Sequence, residues 1–206
     1  MVLLGPPGTG KSPTAQSTGT LTCQLDLGGL LNSLVGESQS RLRQAMQIIH
    51  AVSRGKVLFL ATCNSTAGLS PALMRRFKSG KFFFDLTHDV SDRIPIWRYF
   101  IEKFGYSRRR DLVDGRPKDE GWSPANIEVC VETAVTMDLT LKEAAKYIVP
   151  EGQASARSIE ALRSQAEGVW ISASQSGPYR RPSKDAEPSR EINVEGLNFS
   201  EADKLN

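Results

Sequence analysis

Gly5-Pro6-Pro7-Gly8-Thr9-Gly10-Lys11-Ser12 sets glycines at positions 5, 8 and 10 around a lysine and a hydroxyl, directly after the apolar run Val2-Leu3-Leu4. Glycine reaches backbone angles that other residues avoid, so these positions let successive N–H groups turn inward around one anion. Lys11 adds a point charge, and Ser12 adds a hydroxyl of the kind that holds Mg²⁺ beside a phosphate. A helix starting there would aim the positive end of its dipole at the same place. The chemistry served by this spacing is the binding of a nucleoside triphosphate. A glycine-rich turn without a ligand is the plainer alternative, but it does not account for four fixed positions following an apolar strand. Pro13 pulls the other way, because a residue before proline is pushed from helical angles. A first helical turn nonetheless tolerates proline, since the missing N–H has no partner there.

Positioning that loop needs strands and helices in alternation. The helix after Lys11 can run only to about Ser17, where Thr18-Gly19 breaks it. Thr20 to Leu27 alternates apolar and polar residues as a strand does, ending in Asp26 before the Gly28-Gly29 turn. From Glu37 to Val52, Leu42, Ala45, Met46, Ile49 and Val52 recur at helical spacing, which predicts an amphipathic helix. Val57 to Ala61 and Phe82 to Leu86 are unbroken apolar runs of the kind found in strands buried on both faces. The expected fold class is therefore α/β, a parallel sheet layered with helices.

After Ser91 the pattern becomes helical. Ser91 to Phe104 reads as a helix with Pro95 in its first turn, and Ser123 caps another that opens on Pro124. Leu139 to Val149 and Ala156 to Gly168 complete a small helical unit, and beyond Ile171 the composition turns to Ser, Gly, Pro, Glu and Lys. The expected division is a nucleotide-binding core over 1–90, a helical lid domain over 91–170 and a flexible tail over 171–206.

With 206 residues, 39% hydrophobic and 24% charged, the chain is long enough for one domain with a real core plus a small second unit. Its net charge of +3 is too small to argue for nucleic acid or a membrane surface. Arg108-Arg109-Arg110 and Arg180-Arg181 read as solvated loops. Cys23, Cys63 and Cys130 lie far apart with no Cys-x-x-Cys pair, against a disulfide framework or zinc site and in keeping with a reducing compartment. With no stretch approaching a membrane span, the expected location is the cytoplasm.

These pieces, in this order, resemble the AAA+ ATPase module in its protein-remodelling AAA branch. Gly5 to Ser12 is similar to its phosphate loop, Pro-Pro and Thr-Gly included. Ser33-Leu34-Val35-Gly36-Glu37-Ser38 resembles the segment that begins with the central-pore loop, and Leu34 stands where many members place an aromatic residue that grips polypeptide. Ala61-Thr62-Cys63-Asn64 resembles the end of the sensor strand, and Leu69 to Phe77 resembles the segment that delivers an arginine finger to a neighbouring subunit. Trp122 to Glu128 resembles the lid helix that packs near the adenosine. The resemblance implies ATP and Mg²⁺ as ligands and a homo-oligomeric ring. It implies that Asn64 places the attacking water, that Arg75 or Arg76 acts as finger, and that Pro124 and Ala125 lie against the nucleotide. As plainer alternatives, Asn64 is a turn residue at a strand end and the arginines are surface charges.

One part of that module is absent. Hydrolysis in the family relies on a strand ending in Asp-Glu, between the Arg41 helix and the Asn64 strand, whereas here the helix passes through Ser53-Arg54-Gly55-Lys56 straight into Val57. Without it, the Asp26 strand should pair directly with Val57 to Ala61 in a four-stranded core. Asp26 then becomes the nearest replacement carboxylate for the metal, ahead of Glu37 and Asp85. The first expectation is an ATP hydrolase working as a ring-forming protein remodeller. The second is a nucleotide-binding assembly module with little turnover, and a clamp-loader-like DNA replication ATPase is the least supported.

Overall fold

The computed structural model describes residues 1–17, 22–26, 44, 46–48, 51–52, 58–66, 74–75, 77, 80–107 and 115–182. Its sheet is built from β1 (Val2–Leu4), β2 (Thr22–Asp26), β3 (Leu58–Cys63), β4 (Lys81–Phe83) and β5 (Ile171–Ser172), in the order β2-β3-β1-β4-β5. Every pairing is parallel. β2 lies directly on β3, from Thr22 opposite Leu58 to Asp26 opposite Thr62, so no strand stands between them. The sheet is thus α/β and parallel as its apolar runs imply, with β5 as an addition to the expected four strands.

Successive strand residues face opposite sides, and both sides are covered. Val2, Leu4, Ala61, Cys63 and Phe83 pack with Leu162, Ala166, Trp170 and Tyr179 on one face. Leu3 and Leu60 pack with Ala15 of α1 (Lys11–Gln16) on the other. α1 ends at Ser17 as read from sequence, and Pro13 sits in its first turn. The helix read over Glu37 to Val52 is helical at residues 44, 46–48 and 51–52, and the remainder lies outside the described residues.

The helical part has its own core. It gathers Trp97, Phe100 and Ile101 of α2 (Val90–Phe104), Ile127, Cys130, Val131 and Ala134 of α3 (Pro124–Thr136), and Leu141 and Ala144 of α4 (Leu141–Ala144). Arg93 ties this unit to the end of β4: its guanidinium donates to the carbonyls of Thr87 and His88 and pairs with Asp119 at 3.1 Å, both side chains being buried. The Trp97 indole N–H donates to the same Asp119 at 2.8 Å, giving this buried charge a second partner.

Several expectations need correction. α2 starts at Val90, which moves Pro95 out of the first turn into the second. Phe82 to Leu86 does not continue as a strand past Phe83, because the Asp85 carboxylate accepts from the Leu86 N–H and turns the chain locally. Leu139 to Val149 is not one helix: Thr140 caps α4, which tightens into a 3-10 turn at Ala145–Tyr147 before Pro150 forces extended backbone. A short α5 (Glu151–Ala154) then precedes α6 (Ala156–Ala166). Ile171 to Tyr179, expected in the tail, belong to the fold, since β5 pairs with β4 and Tyr179 is buried in the core, while 183–206 lie outside the described residues. Among the described residues no helix is long and apolar enough to cross a membrane.

Candidate nucleotide site

Gly5 to Ser12 links β1 to α1 at the C-terminal edge of the sheet, where parallel strands present their loops. Gly8 and Gly10 have φ of 72° and 90°, left-handed angles that only glycine adopts without strain. Gly10 has open space where a side chain would start, leaving the loop wall clear for a ligand. The Lys11 ammonium folds over the loop, donating to the Gly5 carbonyl at 2.9 Å and the Pro6 carbonyl at 2.6 Å. Thr9 braces it from within by donating to the same Pro6 carbonyl. The Gly5 N–H reaches back to the Cys63 carbonyl, fixing the loop to the tip of β3.

The second wall comes from α3. Ser123 caps this helix by accepting from the Asn126 N–H, while Asn126 Oδ1 accepts from the Ser123 N–H in return. Asn126 also accepts from the Glu151 N–H and donates to the Val149 carbonyl, pinning the helix start to the following loop. Held this way, Ala125 donates its N–H to the Gly8 carbonyl at 3.2 Å. A side chain on Gly8 would meet the Ala125 Cβ at 2.7 Å, so loop and lid close on one another there.

Between these walls runs a cleft of about 460 Å³ lined by Pro7 to Pro13, Thr62, Cys63, Asn64, Phe100, Pro124, Ala125 and Glu128. The structure thus brings the loop, Asn64 and the lid positions Pro124 and Ala125 together. Gly5 and Pro6 are buried beneath it and hold Lys11 from below. Arg75 is exposed and does not line the cleft, lying between core residues Met74 and Phe77. Arg76, Leu34 and Glu37 lie outside the described residues, as does the side chain of Asp26. Asp85 is withdrawn from the candidate carboxylates because Arg163, Tyr179 and the Leu86 N–H occupy it. Burial alone would raise the Asp85 pKa, but hydrogen bonds from His88, Arg163 and Tyr179 outweigh it and hold the carboxyl below its usual range.

Besides Pro13, Thr62 and Cys63, which adjoin predicted site residues, the cleft includes Phe100 and Glu128, which sequence reasoning did not assign to it. Phe100 reads in sequence as one more apolar member of α2, and Glu128 as the end of a helix-start motif. The available signal was spacing: Glu128 follows Pro124 by four residues and Ala125 by three, so it shares their helix face.

Comparison with known proteins now has a geometry to explain. The model of the ATPase family associated with various cellular activities (AAA) matches residues 1–60. An "Uncharacterized AAA domain-containing protein ycf46" of Guillardia theta is 24% identical over 172 residues, covering 63% of this chain. The family model thus covers the phosphate-loop end of this chain, and the relative is itself described as an AAA domain-containing protein. It spans 31% of the length of that curated relative. Among solved structures, one described as the structural basis for katanin self-assembly superposes with a TM-score of 0.56 at 19% identity, covering 79% of this chain and 76% of that one. The AAA domain of FIGL-1 superposes with a TM-score of 0.52 at 16% identity, covering 80% and 75%. At those identities the likeness is one of fold.

The AAA fold implies a nucleotide, and the loop geometry of this chain fits its phosphates: a left-handed glycine cradle, a lysine over it and open space at Gly10. Among the described residues no group of three or more His, Cys, Asp or Glu is arranged to hold a metal, and Ser12, Asn64 and Glu128 are among the oxygen-bearing side chains of the cleft lining.

Proposed function

We propose that this AAA chain holds Mg-ATP in the cleft between its phosphate loop and lid, as the nucleotide-binding unit of an oligomeric remodelling assembly in which hydrolysis is slow. The observation that carries the binding is the closure of Gly8 on Ala125 above Lys11, which forms both walls of a phosphate site from one chain. Slow turnover rests on the direct pairing of β2 with β3, which takes the place of the strand that would bear the acid pair, and on β3 ending in Thr62-Cys63-Asn64. Loss of a general base lowers such a rate about a hundred- to ten-thousand-fold while leaving binding intact. In the proposal Lys11 neutralises phosphate charge, Ser12 binds Mg²⁺, Asn64 orients water, and the exposed Arg75 with its neighbour Arg76 serves an adjoining subunit. The katanin structure concerns self-assembly, which supports assembly of this chain with copies of itself. A cytoplasmic setting is part of the proposal, on the ground of the buried cysteines Cys63 and Cys130, which are not in disulfides.

Calorimetric titration with Mg-ATP, run beside an ADP-release assay, tests this. Binding that disappears in Lys11→Ala, with turnover far below about one per second, is the expected result. Turnover at or above that rate would overturn the slow-hydrolysis part. Sedimentation with and without ATP tests the ring, and a monomer in both conditions would remove it.

A further inference from the structure

Among the described residues two charged side chains line the nucleotide cleft, Lys11 on the phosphate loop and Glu128 on the lid helix. An ionised carboxylate only accepts hydrogen bonds, and the oxygens of a triphosphate also only accept. Glu128 therefore has nothing to offer the phosphates except repulsion. The donors of a nucleotide are all at its other end, the sugar hydroxyls and the N–H groups of the base. Phe100, beside Glu128 in the lining, supplies the apolar surface that such an end requires, with Pro124 and Ala125 completing the wall. Glu128 is also held in place. Lys103 of α2 donates to its Oε1 at 2.6 Å, and the Lys103 ammonium lies 5.4 Å from the Phe100 ring centroid and 5.1 Å from that of Phe104. One lysine thus orients the carboxylate and the aromatic wall together, and it offsets the negative charge that would otherwise face an incoming polyanion.

We propose that Glu128, oriented by Lys103, reads the nucleoside end of the ligand by accepting a hydrogen bond from one of its O–H or N–H donors, and so selects which nucleotide the cleft takes. This rests on the nucleotide reading above and adds the group that discriminates. Phe100, Pro124 and Ala125 contribute surface without choice, because every nucleoside has an apolar face. The carboxylate supplies the choice, since it rewards a donor and leaves an acceptor or a bare C–H unmatched.

Calorimetry with ATP, 2′-deoxy-ATP, 3′-deoxy-ATP and the triphosphate of purine riboside, which lacks the 6-amino group, tests it on the unmodified chain, Glu128→Ala and Glu128→Gln. At least one analogue should bind the unmodified chain about tenfold more weakly than ATP, the equivalent of about 1.4 kcal/mol, and its identity names the donor. In Glu128→Ala that deficit should vanish as ATP itself weakens about tenfold. Glu128→Gln keeps the shape and should show an intermediate deficit, since a neutral acceptor makes a weaker bond. Equal binding of all four ligands to the unmodified chain overturns the inference, and so does a deficit that survives unchanged in both variants. An effect of Glu128→Ala present only with Mg²⁺ would put the carboxylate on the metal and overturn it as well. A chain that binds none of the four refutes the nucleotide reading itself, whereas ATP binding without discrimination refutes only the role of Glu128.

Discussion

Replacing Gly8 with alanine separates the loop from the lid in a way that can be sized. Gly8 has φ of 72°, and an alanine held in the left-handed region costs about 1–2 kcal/mol. The added methyl would also stand 2.7 Å from the Ala125 Cβ and 2.9 Å from the Ser123 Oγ, well inside ordinary contact. Overpacking of that kind costs a further 1–3 kcal/mol or about that. Gly10 provides the control for melts without nucleotide, because its φ of 90° carries a similar backbone cost while nothing lies within 4 Å of its missing Cβ. The difference between Gly8→Ala and Gly10→Ala therefore isolates the lid contact at about 1–3 kcal/mol. For a chain of this length that is a further drop of about 2–12 °C in Tm if loop and lid stay together. If they part, it becomes about a 5- to 150-fold loss of nucleotide affinity. Thermal melts of both variants without nucleotide, and calorimetric titrations of Gly8→Ala beside the unmodified chain, read the two forms of the penalty. Gly8→Ala combined with Ala125→Gly should recover most of the difference, since the nearest opposing atom is gone. Single variants that melt alike while Gly8→Ala binds nucleotide as the unmodified chain does, or a double variant no better than Gly8→Ala, would refute the claim that the lid seals the loop.

The Asp85 carboxylate should show in acid. Its pKa is depressed in the fold, so its contribution is fully present above the unfolded value near about 4 and is lost as pH falls through the folded value. Asp85→Asn should cost about 3 kcal/mol at pH 7 and flatten the fall in Tm below about pH 4, as followed by circular dichroism. Asn126→Ala removes a reciprocal cap and its bonds to Glu151 and Val149, and should lower stability by about 2 kcal/mol in a urea melt. Burial pushes the Cys130 thiol up to about 12, so iodoacetamide at pH 8 should leave Cys130 unmodified in the native protein and alkylate it after unfolding, as peptide mass spectrometry would record.

The phosphate loop and the Ser123-Pro124 helix start were legible because each depends on local chemistry: backbone angles at glycines and a cap at a helix end. The direct pairing of β2 with β3 was also legible, since the short link into Val57 left no length for another strand. What escaped depends on contacts distant in sequence. Nothing near Asp85 announces that Arg163 and Tyr179 will take its oxygens. Nothing in Ile171-Ser172 marks it as a strand, for two residues carry no period and the pairing is supplied by β4. Glu128 escaped for a different reason. Its spacing was visible, but a carboxylate on a helix is ordinarily solvated, and only the approach of the loop makes that face a wall.

β5 also sets an order on how this molecule is made. β4 lies between β1 and β5, yet the chain must extend roughly ninety residues past β4 before Ile171 exists to cover its outer edge. Until then β4 presents unpaired N–H and C=O groups while Phe83, on the core face, awaits Tyr179, which stacks on it edge-on at 4.5 Å. A nascent chain emerging N-terminus first thus carries its phosphate loop early and its sheet closure late. The interval between the two is the one in which another sticky edge, or a chaperone, can reach this strand.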